Sequence, residues 1–326
     1  MDLTSLQSRV VRLYGSYRRP RVRLALNAGL AVFTVAVLAL AADHVQGSGW
    51  PLAAADPVLV TGAGLLFLLG YGLKAVGWQR LFARHERPQS VALAVAGGAA
   101  SVTGVALPGR FDDAVRITVA RRAGCRAGVR SLCLSLFVLG LVDAVALSPL
   151  ASVGAGLTGS TALRVVLAVV AAGGIGAALI LVALPRLAGR PRLASFRLVR
   201  WVTQHLVSAR DTAQAGFFVL ASWVVRAAGL ALLLAALGLG FSVPLALLFL
   251  CAAAASSALP IAPAGAATQA GAGAASLAAS GVTTAHAITF ALAAQMLVLF
   301  AAVAVLGGFT VWRAGARVRS AYAFAR

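Results

Sequence analysis

The chain has 326 residues, 61% of them hydrophobic and 11% charged, with a formal charge of +20 and a mean hydropathy of +0.93. That balance excludes a soluble globular domain and points to an all-α polytopic membrane protein. The arginines lie in short segments between apolar runs, which argues against nucleic acid as a partner and fits retention of positive charge on the cytoplasmic face of a membrane.

A membrane-spanning helix needs about 20 apolar residues. Six full transmembrane helices are predicted, near 24–42, 57–79, 130–152, 163–185, 215–238 and 284–310. The segment 1–23 carries Arg9, Arg12, Arg18, Arg19, Arg21 and Arg23, so the N-terminus is expected inside. Ala39-Leu40-Ala41 mimics a signal-peptidase site, but the long basic segment before it and the further spans after it read as an uncleaved first helix. The loop 43–56 lacks Arg and Lys and is placed outside. Arg80, Arg84 and Arg87 then lie inside, as do Arg110, Arg116, Arg121, Arg122 and Arg126. The apolar run 90–108 between these clusters has both ends inside and is expected to enter and return as a re-entrant hairpin, spanning 88–110 with its flanks.

The uncharged loop 153–162 faces outside, and 186–210, rich in Arg, lies inside. Residues 239–243 are again uncharged, while the tail, 311–326, is basic. An odd number of crossings must join them. The helix at 284–310 supplies one, which leaves 244–260 and 264–281 as a second hairpin, 243–282, entered from outside. The competing layout has eight plain crossings, two of them made by 88–108 and 244–262, and requires Arg-rich ends on both sides of the membrane.

Spacing supports two repeats. Ser90-Val91-Ala92-Leu93-Ala94 leads to Ala106-Leu107-Pro108, and Ser242-Val243-Pro244-Leu245-Ala246 leads to Ala258-Leu259-Pro260, 152 positions later. The expected organisation is a single membrane domain, 24–310, whose halves, about 24–152 and 163–310, form an inverted repeat. Paired Pro/Gly-interrupted segments of this kind mark a substrate site at a repeat interface. Non-helical backbone at membrane depth is tolerated only where protein buries it or a wet cavity faces it.

The densest polar cluster is Pro108-Gly109-Arg110-Phe111-Asp112-Asp113-Ala114-Val115-Arg116. Arg110 and Arg116 offer forked donors suited to phosphate or carboxylate. Asp113, three residues before Arg116, can hold its guanidinium on a helix. A helix cap with solvated ion pairs is the plainer alternative. Asp143 and Arg226 lie inside apolar spans, where an ionisable group normally faces a cavity or a partner. Function and a structural Asp–Arg pair both fit them. Thr268, Gln269 and Gln295 can contact a lipid head group or satisfy freed backbone at a hairpin tip. Lys74 is the only lysine, and neither the three cysteines nor the four histidines have ligand or catalytic spacing. No enzyme activity and no cofactor are expected.

At these residues the chain resembles the lysylphosphatidylglycerol synthase transmembrane region, also described as flippase-like integral membrane proteins. Pro108, Arg110, Asp113 and Arg116 are similar to that family's Pro-x-Arg-x-Gly-Glu-x-x-Arg, with Asp113 at the Glu position and Asp112 at the Gly. Asp143 matches the acid of Glu-Arg-x-x-Asp, with Leu139 and Gly140 at its first two positions. Thr268 and Gln269 match a Gly-Thr-Gln-Gln variant of the later motif, with Ala270 at the acidic position. The resemblance covers about 20–312. It implies an integral membrane protein with re-entrant segments that handles or translocates amphipathic lipids. Arginine placement makes it a multi-pass cell-membrane protein with both termini cytoplasmic, and the forked arginine donors suit an anionic phospholipid or polyprenyl-phosphate lipid as its partner. The full synthase's soluble aminoacyl-transferase domain is expected to be absent, since nothing follows Arg326. A non-transporting scaffold that presents lipid to a glycosyltransferase is the alternative.

Overall fold

The computed structural model describes residues 50–106, 111–188, 208–257 and 265–324. The predicted span 24–42, Arg110, and the tips 107–110 and 258–264 lie outside the described residues. Among those described, nine helices and no strand make an all-α fold: α1 (Pro57–Arg80), α2 (Ser90–Ala106), α3 (Phe111–Arg122), α4 (Val129–Leu157), α5 (Thr161–Ala188), α6 (Ala209–Ala236), α7 (Val243–Ser257), α8 (Gly265–Ala279) and α9 (Thr284–Phe324). Five of them, α1, α4, α5, α6 and α9, contain stretches long and apolar enough to cross a membrane. They coincide with five of the six predicted spans. The protein is therefore a polytopic all-α membrane protein.

The helices start and stop for local reasons. Asp56 caps α1, its carboxylate accepting from the Val58 and Leu59 amides at 2.8 and 3.3 Å, and Pro57 stands at the first helical position. Ser208 caps α6 and accepts from the Asp211 amide at 3.1 Å. The helices α3 and α8 end by one device. Gly124 and Gly281 take φ of +101° and +94°. The next amide then reaches back, Cys125 to Ala120 O and Val282 to Leu277 O, closing the last turn.

Residues 90–106 form one continuous helix of 17 residues, so the chain does not turn back within 90–106. Gly97-Gly98 does not break it. Gly98 instead lets α9 approach, since a Cβ there would sit 3.1 Å from Ala302 O. The segment expected to form the second hairpin holds α7 and α8, 15 residues each, packed on one another as α2 is packed on α3.

The centre of the fold is the crossing of α1 and α6. A Cβ on Gly77 would lie 2.9 Å from Val219 Cγ2 and 3.1 Å from Ala215 O, while one on Gly229 would lie 3.2 Å from Phe67 Cδ2 and 3.3 Å from Ala63 O. Between them the buried Ser222 hydroxyl donates to Gly70 O at 3.0 Å, across 152 positions of sequence. That same offset joins Gly77 to Gly229, Ala63 to Ala215 and Phe67 to Val219. The contacts are reciprocal, and partner numbers fall as α1 numbers rise. The two helices are thus antiparallel and related by a local two-fold axis through Gly70 and Ser222. Neighbouring pairs follow suit: α1 packs on α9 and α2, and α6 packs on α4 and α7. Helix α5 packs on α4 and turns Val165, Val169, Ile175, Leu179 and Val182 outward. That face suits lipid.

Candidate functional site

One helical turn beyond the axis, α1 and α6 each carry an aromatic residue and a cation three positions apart: Tyr71 and Lys74, Trp223 and Arg226. The spacing puts both members on one helix face. Because the helices are antiparallel about the axis, each cation meets the other helix's ring. Lys74 Nζ lies 5.0 Å from the Trp223 ring centre, and Arg226 Cζ lies 5.1 Å from Tyr71 and 5.4 Å from Trp223. Gly70 makes room for this arrangement. A Cβ there would come within 3.0 Å of Arg226 Cγ and 3.1 Å of its Nε.

Asp143 enters from α4. Its Oδ2 lies 2.9 Å from Lys74 Nζ, and its Oδ1 accepts from the Trp223 indole at 2.9 Å. The approach of α4 is set on the same side of α1, where the buried Trp78 indole donates to Ser135 Oγ at 2.9 Å. Tyr71 in turn donates to Ser101 Oγ on α2 at 2.6 Å. The cluster thus ties four helices together inside apolar spans, where charge is costly unless paired or facing a cavity. It holds two cations and one carboxylate. The Arg226 Nε is buried and makes no hydrogen bond among the described residues.

Asp143 and Arg226 were expected to be counterparts, with a direct pair as one option. The structure gives Asp143 to Lys74, and the offset that relates the α1 and α6 contacts makes Lys74 the counterpart of Arg226 and Gln295 the counterpart of Asp143. Sequence reasoning missed Lys74. The repeat offset applied to Arg226 would have found it.

The first-turn acids of α3 are both engaged. Arg116 Nη1 donates to Asp113 Oδ1 at 2.9 Å, as the i, i+3 spacing predicted, and Nη2 lies 3.1 Å from Asp112 Oδ2. Arg116 also lies near enough to Lys74 for their charges to interact. Thr268 and Gln269 stand half-buried on the first turn of α8, a helix that packs on α7, α9 and α2. Arg110 lies outside the described residues. Among the described residues no group of three or more His, Cys, Asp or Glu is arranged to hold a metal ion.

At one end of the bundle Arg87 reaches Asp211 at 3.1 Å, joining the segment after α1 to the start of α6. A shallow groove there is lined by Arg80, Arg210, Gln214, Phe217 and Phe218.

A family profile described as the lysylphosphatidylglycerol synthase TM region matches residues 24–307. The chain belongs to that family. The match takes in four of the five spans whole, the fifth as far as residue 307, and both pairs of shorter helices. No curated protein and no solved structure matches the chain. Family membership and the apolar helices make it an integral, multi-pass membrane protein.

Proposed function

We propose that this protein is a flippase-like lipid transporter of the cell membrane that binds an anionic phospholipid or lipid-linked glycan phosphate between two inverted halves. The observation that carries the reading is the Lys74–Asp143–Arg226 cluster at the α1–α6 crossing, with more cation than carboxylate at membrane depth. An antiparallel pair of repeat-related helices that both cross the bilayer has its two-fold axis in the membrane plane, which is the axis of an inverted repeat. The shorter helices support hairpins. At about 1.5 Å per residue, α2 and α7 are roughly 22–26 Å long, against a hydrocarbon core of about 30 Å.

In this reading α2–α3 and α7–α8 enter from opposite faces. Arg110 and Arg116 receive the phosphate at the inner side, with Asp112 and Asp113 orienting Arg116. Thr268 and Gln269 contact the head group from the other hairpin. Transport is rocking of one half against the other. The groove end of the bundle, with Arg80 and Arg210, faces the cytoplasm, as do both termini.

The experiment is reconstitution into vesicles carrying fluorescent phosphatidylglycerol, with loss of outer-leaflet fluorescence on adding a membrane-impermeant reductant. The expected result is quenching beyond the outer-leaflet half, reduced by Arg116→Ala. A wild-type protein that binds the lipid but quenches only the outer half refutes transport and favours the scaffold that presents lipid to a glycosyltransferase.

A further inference from the structure

The two halves treat their equivalent cations differently. Lys74 and Arg226 occupy the same repeat position, as do Tyr71 and Trp223, yet Lys74 has a carboxylate at 2.9 Å and Arg226 has none among the described residues. The offset also marks a difference on the helices that face these cations. Asp143 on α4 faces Lys74, and the residue 152 positions later, on α9, is Gln295. Helix α9 packs on both α1 and α6, and Gln295 is half-buried there.

We infer that Arg226, left open by Gln295, is the seat for one phosphate-type anion, and that Asp143 is an internal competitor holding Lys74 back from it. The chemistry fits this division. The Tyr71 and Trp223 rings lie 5.1 and 5.4 Å from the guanidinium carbon. Contacts through the rings spend none of the planar donors at the guanidinium edge. Those donors match two phosphate oxygens at once. Lys74, a compact charge within 5.0 Å of the same Trp223 ring, is near enough to add a second contact once an anion draws it from Asp143. A neutral amide at 295 can donate to that anion, whereas a carboxylate would repel it.

This inference rests on the reading of the protein as a binder of anionic lipid phosphate, and it does not require transport. The experiment measures binding to purified protein in phosphatidylcholine nanodiscs, using inorganic phosphate and dioctanoyl-phosphatidylglycerol as separate probes and thermal unfolding as the folding control. Gln295→Glu installs the missing carboxylate and is expected to weaken anion binding at least about tenfold. Asp143→Asn frees Lys74 and is expected to strengthen it severalfold. The exchange Asp143→Asn with Gln295→Glu keeps one carboxylate against two cations and is expected to return affinity to within about threefold of wild type. A residue serving structure alone predicts no such rescue.

Binding of both probes assigns the seat to free phosphate as well as to lipid, and binding of phosphatidylglycerol alone assigns it to the lipid head group. Binding of neither, or Gln295→Glu binding as wild type does while folded, overturns the inference. So does a double exchange that binds no better than Gln295→Glu. If the exchange series behaves as expected but reconstituted vesicles show no lipid movement, the seat stands and transport falls. Lipid movement unaffected by Gln295→Glu overturns the seat and leaves transport standing.

Discussion

Asp143 makes two contacts that can be removed separately. Truncation in Asp143→Ala leaves Lys74 without its carboxylate and the Trp223 indole without its acceptor. Breaking a fully buried ion pair from one side costs about 3–5 kcal/mol. Here the side chains are 25% and 21% exposed, so solvent in the cluster reduces the charge contribution to roughly 1.5–2.5 kcal/mol. The lost indole bond adds about 1 kcal/mol, for a total near 3 kcal/mol. Asp143→Asn keeps an oxygen for Trp223 and should cost only the first part. Combining Asp143→Asn with Lys74→Met removes the stranded charge, so the pair should be more stable than the sum of the singles by about 1.5 kcal/mol or more. The measurement is reversible unfolding in mixed micelles of mild detergent and dodecyl sulfate, followed by circular dichroism. Equal losses for the Ala and Asn variants, with no recovery in the double variant, would refute the reasoning: the cluster would then be solvated and its contacts energetically idle.

Three further outcomes are expected, two from helix packing and one from a buried thiol. Gly77→Leu drives a side chain into Val219 and the Ala215 carbonyl, and should cost about 1–3 kcal/mol or more in the same unfolding assay. Gly140→Ala, on an exposed face of α4 with nothing within 4 Å, should be neutral or gain up to about 1 kcal/mol. Burial pushes the Cys125 thiol up from its ordinary value in the segment joining α3 to α4, so a water-soluble maleimide should label it slowly at pH 7.5 and quickly after unfolding. Because the folded state holds that proton more tightly, its stabilising effect is full below the unfolded thiol's pKa and declines as pH rises above it. Fast labelling of the folded protein at pH 7.5 would contradict the burial.

Much of the architecture was legible along the chain. The spans at 57–79, 130–152, 163–185, 215–238 and 284–310 appear as helices because each is an apolar run long enough for a bilayer, bounded by Arg, Pro or Gly. The Asp113–Arg116 pair was legible too, since helical spacing alone puts the groups in reach. The return expected over 90–108 does not occur within 90–106. Nothing inside Ser90–Ala106 interrupts the helix, and Gly98 of its Gly-Gly pair serves close packing on α9.

The partner of Asp143 could not be read in this way. The repeat offset marks Lys74 as the equivalent of Arg226, but the separation between Lys74 and Asp143 carries no local periodicity that would pair them. Composition, hydropathy and charge placement determined that this is a helical membrane protein, because burial in lipid and retention of arginine act on each segment separately. Which cation faces which carboxylate was decided only when α1 and α6 crossed antiparallel about Gly70 and Ser222. Side chains far apart in sequence meet through the geometry of packed helices, and no single segment contains that information.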